Sequence, residues 1–327
     1  MRAIVISRPG GPDVLELRDV AMPSPGPGEI RVRVAATAVN LADLLQRAGR
    51  YPPPAGVPRD IPGLEYAGVV DALGEGATRW TAGAEVMGLV GGGSYAEYVV
   101  THEDEAVAVP AGLSLEAAAS VPEAFITAHD ALFTQMRLRA GETVLIHAVG
   151  SGVGTAGLQL ARAAGARVIG TQRSAWKLDR ALELGLDVAV DTGTEDFVEA
   201  AMRETSGRGV DGVLDLVGGD YLGGDLRALA VRGRILLVGL VAGARHELDL
   251  RLLLGRRATI IGTVLRARSL DEKIAAARAF EHDVLPLLES GAVVPVIDQV
   301  LPLDDAARAH ERVADNRNYG KVVLRLA

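Results

Sequence analysis

Two stretches of this chain carry glycine, hydroxyl and basic residues at spacings that could hold a phosphorylated cofactor. The first runs from Glu142 to Arg162. It opens with the β-type stretch Val144–Ala148 and turns through Gly150, Ser151, Gly152 and Gly154. It leaves as a helical pattern with Val153, Leu158, Leu160 and Ala161 on one face. A strand, a glycine turn and a helix in that order let the backbone approach a pyrophosphate and aim free N–H groups at it. Gly152, Gly154 and Gly157 satisfy G-x-G-x-x-G, a weak signal alone among 39 glycines, strengthened by the β-α units that follow. The second stretch is Gly170-Thr-Gln-Arg-Ser-Ala-Trp-Lys177. An enzyme using NAD would carry an acidic residue there for the ribose 2′-hydroxyl. No Asp or Glu precedes Asp179, and Arg173, Ser174 and Lys177 suit a 2′-phosphate instead. The expected cofactor is therefore NADPH. The plainer reading makes Ser174 a helix cap and the two basic residues a solvated face.

Other tempting side chains carry less. His147 ends a central strand and reads as a packed, hydrogen-bonded histidine rather than a base. The six histidines show no metal-ligand spacing, and the chain has no cysteine. That removes disulfides, thiol catalysis and thiolate zinc sites together, so no metal site is expected. The acidic run His102-Glu-Asp-Glu105 reads as a solvated turn.

The elements that must position these residues fall into two styles. Up to about residue 122 short β-type runs dominate: Ala3–Ser7, Leu15–Val20, Ile30–Val39, Ala67–Ala72, Glu85–Val90 and Tyr95–Thr101. Gly and Pro clusters separate them, which suits a small barrel. One helix, about Leu41–Ala48, precedes Gly49-Arg50-Tyr51-Pro52-Pro53-Pro54, a rigid turn carrying an aromatic hydroxyl. A helical tract from Ser114, broken near Pro122, forms a hinge. Beyond Glu142, strands Val144–Ala148, Arg167–Thr171, Val188–Asp191, Gly212–Val217, Arg234–Leu240 and Thr259–Val264 alternate with helices. That pattern implies a doubly wound parallel sheet with ligands at its carboxyl ends. A long helix over Leu270–Leu288, a β-type run Val293–Leu301, a helix Asp304–Val313 and a strand Val322–Leu326 are assigned back to the first domain.

The chain has 327 residues, 49% of them hydrophobic, with a net charge of −8. This fits a globular protein of two domains and argues against a general nucleic-acid or membrane-surface binder. With no N-terminal apolar segment and no long apolar run, a cytoplasmic location is expected.

These residues resemble the medium-chain dehydrogenase/reductase superfamily over nearly the full length, and within it the zinc-free, NADPH-dependent quinone oxidoreductases. Asn40-Leu-Ala-Asp43-Leu-Leu-Gln-Arg-Ala-Gly49-Arg-Tyr51-Pro is similar to the family block N-x-x-D-x-x-x-R-x-G-x-Y-P. Pro62-Gly63-Leu-Glu65-Tyr-Ala-Gly68-Val-Val is similar to P-G-x-E-x-x-G-x-V. Pro122-Glu-Ala-Phe-Ile-Thr127-Ala128 sits at the hinge, and Asn318-Tyr-Gly320-Lys321-Val-Val-Leu matches the G-K-x-V-L ending. Ile146-His-Ala-Val-Gly-Ser151-Gly-Val-Gly-Thr-Ala is most similar to the p53-inducible type. The resemblance implies an α/β fold, with a doubly wound parallel Rossmann sheet over 123–267. A GroES-like, mostly β barrel domain would take 1–122 plus 268–327. It places Tyr51 and Ser151 at the active site and Asn40 and Thr127 near the nicotinamide. Lys177 falls at the adenosine phosphate, and Gly239, Val264 and Asn318 in cofactor-contact segments. Ser151 departs from the usual A-x-x-G-x-x-G turn by putting a hydroxyl at its first glycine. Glu65 resembles a position that contacts zinc in metal-containing relatives and is read here as a structural hydrogen-bond partner. The resemblance also implies a homodimer through the edge strand 259–264.

The leading expectation is NADPH-dependent quinone reduction without metal. Reduction of an activated C=C bond, in an enal, enone or acyl-thioester, is the alternative within enzymes. A non-catalytic NADPH-binding protein, crystallin-like and structural or RNA-associated, is the alternative outside them. The acidic balance and the presence of Tyr51 and Ser151 weigh against the last.

Overall fold

Side chains that alternate in and out build the first sheet of this computed structural model, which describes residues 1–326. In chain order the strands of this half are β1 (Arg2–Ile6), β2 (Leu15–Asp19), β3 (Glu29–Val39), β4 (Glu65–Leu73), β5 (Glu85–Leu89), β6 (Tyr98–His102) and β7 (Ala106–Ala108); β1 and β2 form a separate antiparallel pair, and β3 to β7 belong to the larger sheet. Along β3, Ile30, Val32, Val34, Ala36 and Ala38 point into the core and Arg33 points to solvent. β3 pairs antiparallel with β4 on one side. On the other it pairs with β6 over Glu29–Arg33 and, further along, with the C-terminal strand. Gly68 permits a close approach, because a Cβ there would lie 2.1 Å from the Arg33 carbonyl oxygen. The helix α1 (Leu41–Arg47) follows β3 directly, and α2 (Leu115–Ala118) is capped by the Ser114 hydroxyl, which accepts from Ala117 N–H at 3.2 Å.

Past α3 (Thr127–His129) and a π-helical turn over Asp130–Gln135 the period changes to β-α units. The strands are β8 (Thr143–Ile146), β9 (Arg167–Gln172), β10 (Val188–Asp191), β11 (Val210–Asp215), β12 (Leu229–Leu237) and β13 (Thr259–Gly262). They alternate with α4 (Gly152–Ala163), α5 (Ala175–Glu183), α6 (Phe197–Glu204), α7 (Tyr221–Ala228) and α8 (Leu250–Arg256). All pairings are parallel, in the order β10-β9-β8-β11-β12-β13. Counted within this sheet that is 3-2-1-4-5-6, the doubly wound order of dinucleotide-binding folds. The central strand β8 is buried along its whole length, as a strand covered on both faces must be.

The chain ends with α9 (Leu270–Asp283), α10 (Leu285–Glu289), β14 (Ile297–Pro302), α11 (Ala306–Ala314) and β15 (Lys321–Arg325). The expected single helix over Leu270–Leu288 is two helices. Pro286 lacks an N–H and sits in the first turn of α10, so the first helix stops at Asp283. β12 begins five residues before the expected Arg234 and ends at Leu237, and the short β7 had no sequence signal of its own. β14 pairs parallel with β15, which closes onto β3. By contacts the chain divides into two compact units, Met1–Ile126 with Leu265–Ala327, and Thr127–Val264. Among the described residues no helix is long and apolar enough to cross a membrane.

Candidate active site

In the second unit, the residues expected to hold the cofactor follow the carboxyl ends of parallel strands, which share one edge of the sheet. Gly150, Ser151, Gly152, Val153 and Gly154 follow β8. Arg173, Ser174 and Lys177 follow β9, Gly239 follows β12, and Val264 follows β13. Ser151 caps α4, its Oγ accepting from Gly154 N–H at 3.1 Å. The hydroxyl proton therefore stays available to another acceptor. Gly154 has no room for a side chain, since a Cβ would lie 2.4 Å from the Ala148 carbonyl oxygen. Ala148 itself turns through φ 49°, a strained value for a residue with a side chain. Gly239 is equally confined, with a Cβ there falling 2.2 Å from the Leu216 carbonyl oxygen, while Val264 is exposed.

The basic residues after β9 differ from the plainer reading of two solvated cations. Arg173 is exposed, but Lys177 is 1% exposed. Its aliphatic stem packs under the glycine turn: a Cβ on Gly150 would stand 3.2 Å from Lys177 Cβ. Its Nζ lies 5.5 Å from the centre of the Trp176 ring. Ser174 occupies the N-cap position of α5 without making the capping bond, so its hydroxyl remains open to a ligand. Thr127 is buried, and its hydroxyl has no hydrogen-bond partner among the described residues. A glycine-rich turn at the start of α4, with Arg173 and the Ser174 hydroxyl after the neighbouring strand, fits a dinucleotide phosphate.

His147 is the packed histidine the sequence suggested. It is fully buried, with Nδ1 2.7 Å from Thr171 Oγ1 and Nε2 2.7 Å from Asp225 Oδ1. Burial pushes the Asp225 carboxyl up to about 6, against the pull of His147. Asp215 anchors the turn after β11, its Oδ1 accepting from Val217 and Gly218 N–H at 2.8 Å each.

In the first unit, Tyr51 lies against Arg266, whose guanidinium carbon is 5.0 Å from the ring centre. Arg266 donates to the carbonyls of Tyr51 at 3.2 Å and Gly91 at 2.7 Å, and to Gln46 Oε1. Partial burial raises the Tyr51 phenol above its ordinary value, and Arg266 opposes that rise. The phenol is thus protonated at neutral pH.

A buried polar cluster sits under α1. Glu65 is fully buried and paired with Lys321, Oε1 to Nζ at 2.6 Å. It also accepts from Asn40 Nδ2 at 2.9 Å and from Glu123 N–H at 2.9 Å. Asn40 Oδ1 accepts from Lys321 Nζ, so both ends of its amide are engaged inside this unit. Asn318 Nδ2 donates to the Gly320 carbonyl at 2.7 Å, which orders the approach to β15. Asp43 accepts from Asn40 N–H and Gly63 N–H, and burial pushes its carboxyl up to about 6. Beside it, Arg47 Nη1 meets His310 Nδ1 at 3.2 Å and His310 Nε2 meets Tyr95 Oη at 3.1 Å. Arg47 can only donate, so Nδ1 accepts, Nε2–H donates to Tyr95, and the Tyr95 proton points to Asp43. Burial and Arg47 together depress the His310 pKa to about 3, consistent with this neutral tautomer.

Residues 26–111 match the family described as alcohol dehydrogenase GroES-like domain, and residues 152–281 match the zinc-binding dehydrogenase family. A quinone oxidoreductase of Pseudomonas aeruginosa is 34% identical over 316 residues, covering 96% of each chain. The chain belongs to the medium-chain dehydrogenase/reductase family. The Escherichia coli quinone oxidoreductase complexed with NADPH superposes with a TM-score of 0.90 at 30% identity, covering 99% of this chain and 100% of that one. A phthioceranic/hydroxyphthioceranic acid synthase of Mycobacterium bovis is 38% identical over 234 residues, 72% of this chain and 11% of that protein.

One matched medium-chain family is described by zinc, yet this member has no cysteine, and its Glu65 is committed to Lys321. Among the described residues no cluster of three metal-ligating side chains occurs. Sequence reasoning passed over Arg266, Glu123 and the partners of Asp43. Glu105, read as part of a solvated turn, is half-buried, and burial raises its carboxyl.

Proposed function

We propose that this family member is a zinc-independent NADPH:quinone oxidoreductase. The observation that carries the reading is the Gly150–Gly154 turn beside Arg173 and the uncapped Ser174 hydroxyl, a cradle for a dinucleotide with a 2′-phosphate. When bound, NADPH supplies a hydride. Tyr51 and Ser151 are the donors we assign to the acceptor oxygen, with Tyr51 supplying the proton. Asn40 and Thr127 are assigned to the nicotinamide side of the site, and Gly239, Val264 and Asn318 to cofactor-contact segments. For Asn40 that role falls to its backbone, because both ends of its amide are bonded within the fold.

The deciding experiment is NADPH consumption by exhaustively chelated protein against a quinone panel and a panel of enones and enoyl-thioesters. Turnover of quinones without metal is expected. Reduction of activated C=C bonds is the second reading, and turnover confined to the enone and enoyl-thioester panel selects it. Tight NADPH binding with no turnover on either panel selects a binding protein.

A preference for NADPH over NADH of about 10- to 100-fold is expected from one or two charge-assisted contacts at roughly 1.5–3 kcal/mol each. Arg173→Ala with Lys177→Met should abolish most of it. Methionine preserves the packing under Gly150, so an unchanged cofactor ratio would refute the phosphate assignment rather than report a collapsed turn.

Among the described residues the edge strand β13 pairs only with β12, and Val264, just past it, is exposed. An unpaired apolar edge is satisfied by a second copy, so a homodimer is proposed. Light scattering that finds only monomer at micromolar concentration removes this part of the reading.

A further inference from the structure

A water-sized cavity in the first unit, about 20 Å³, is walled by Glu105, Glu123, Arg266 and Lys273 and otherwise by aliphatic side chains. That volume holds one water molecule, which needs two to four polar partners, and the four charged side chains supply them. Desolvating charges around a void costs free energy that aliphatic packing would avoid, so the arrangement calls for a use. Glu105 and Lys273 line it and are partly exposed. Arg266, which is buried, lines the void and also faces the Tyr51 ring.

We propose that this cavity is a proton-delivery route, in which one water relays protons from the side of Glu105 and Lys273 to the Glu123 carboxyl. That carboxyl then restores the proton Tyr51 gives to the reduced acceptor. The proposal rests on the reading of Tyr51 as proton donor. In each turnover the acceptor gains a hydride with its electron pair and one proton. The Tyr51 O–H bond breaks as the acceptor O–H bond forms. The phenolate takes the proton of Glu123, and the Glu123 carboxylate is reprotonated from solvent through the cavity water. Nothing on the protein is oxidised or reduced.

The surroundings of Glu123 keep a proton on it at neutral pH. Burial raises its carboxyl to about 8, with Glu65 and Asp43 adding to the rise and Lys321 and Arg266 opposing it. Lys273 and Glu105 face it across the void. A carboxyl delivers only while protonated, so delivery is present below about pH 8 and is lost above it.

Glu123→Gln is expected to keep the first turnover near the wild-type rate in stopped flow. It should lower steady-state turnover about 10-fold or more, and the fall in activity above pH 8 should disappear. The infrared band of a carboxylic acid titrating in that range should vanish in the same variant. Ala277→Val, which fills the void and leaves every titratable group in place, should split the first and later turnovers in the same way. Wild-type steady-state rates and pH profiles in both variants overturn the route. A first turnover slowed as much as the later ones overturns it too, because Glu123 would then act in the reaction step itself. Tyr51→Phe separates the two readings: a normal first turnover in that variant removes Tyr51 as donor whatever Glu123 does.

Discussion

Tyr51→Phe and Ser151→Ala are each expected to lower kcat about 10²-fold while leaving NADPH affinity nearly intact. A hydride arriving at a quinone or enone leaves negative charge on the acceptor oxygen. Stabilising that charge takes hydrogen-bond donors already in place, because a donor that must reorganise loses most of its advantage. Tyr51 meets the requirement through Arg266, which ties its carbonyl to Gly91 and Gln46 and stacks on its ring. Ser151 meets it through its cap, in which the oxygen is fixed by Gly154 N–H and the proton is left to give. The serine change also removes that cap, at about 1 kcal/mol of stability, so rates belong well below the unfolding transition. One lost hydroxyl can be partly covered by the other or by water, which makes the double variant the stronger test. If its stopped-flow NADPH oxidation in the first turnover runs at the wild-type rate, both residues belong to binding or architecture.

What could be read from the sequence followed from local signals. The glycine turn, the switch from period two to alternating β and α, and the absence of cysteine all act over a few residues or over the whole composition. They sufficed for the parallel sheet and for the place of Gly150–Gly154 after β8. His147 was legible for the same reason, as a polar residue closing an apolar strand. Lys177 was half legible. Its position one turn into α5 was plain, but its burial depends on Gly150 leaving space for the lysine stem, which no local pattern records. Glu105 looked like surface because its neighbours His102, Glu103 and Asp104 are polar. Only the packing of α9 against that turn shows that one of the three acids faces inward. The split of the helix near Pro286 was available in the sequence and was outweighed by the apolar pattern running through it. The Glu65–Lys321 pair had no signal, since its members lie at opposite ends of the chain and meet only when β15 docks on β3.

That pair carries the largest expected effect on stability. Lys321→Met should destabilise the protein by about 3–5 kcal/mol at neutral pH, because it leaves the Glu65 carboxylate buried without its cation. Lys321 is 6% exposed and Glu65 0%, so water cannot replace the ammonium group. The Asn40 amide suffers as well, since its Oδ1 loses the Lys321 donor. Adding Glu65→Gln should recover most of the loss. A glutamine there is neutral, and its carbonyl can still accept from Glu123 N–H or from Asn40 Nδ2. The pair thus tests two ideas in one cycle: that breaking a buried ion pair is costly, and that removing both charges is not. Urea unfolding measures it, with a shift in midpoint at constant slope reporting stability alone. A Lys321→Met midpoint within about 1 kcal/mol of wild type would mean that Glu65 is not held as a charge. A double variant no more stable than the single would mean that the lysine acts through its packing on β3 rather than through the carboxylate.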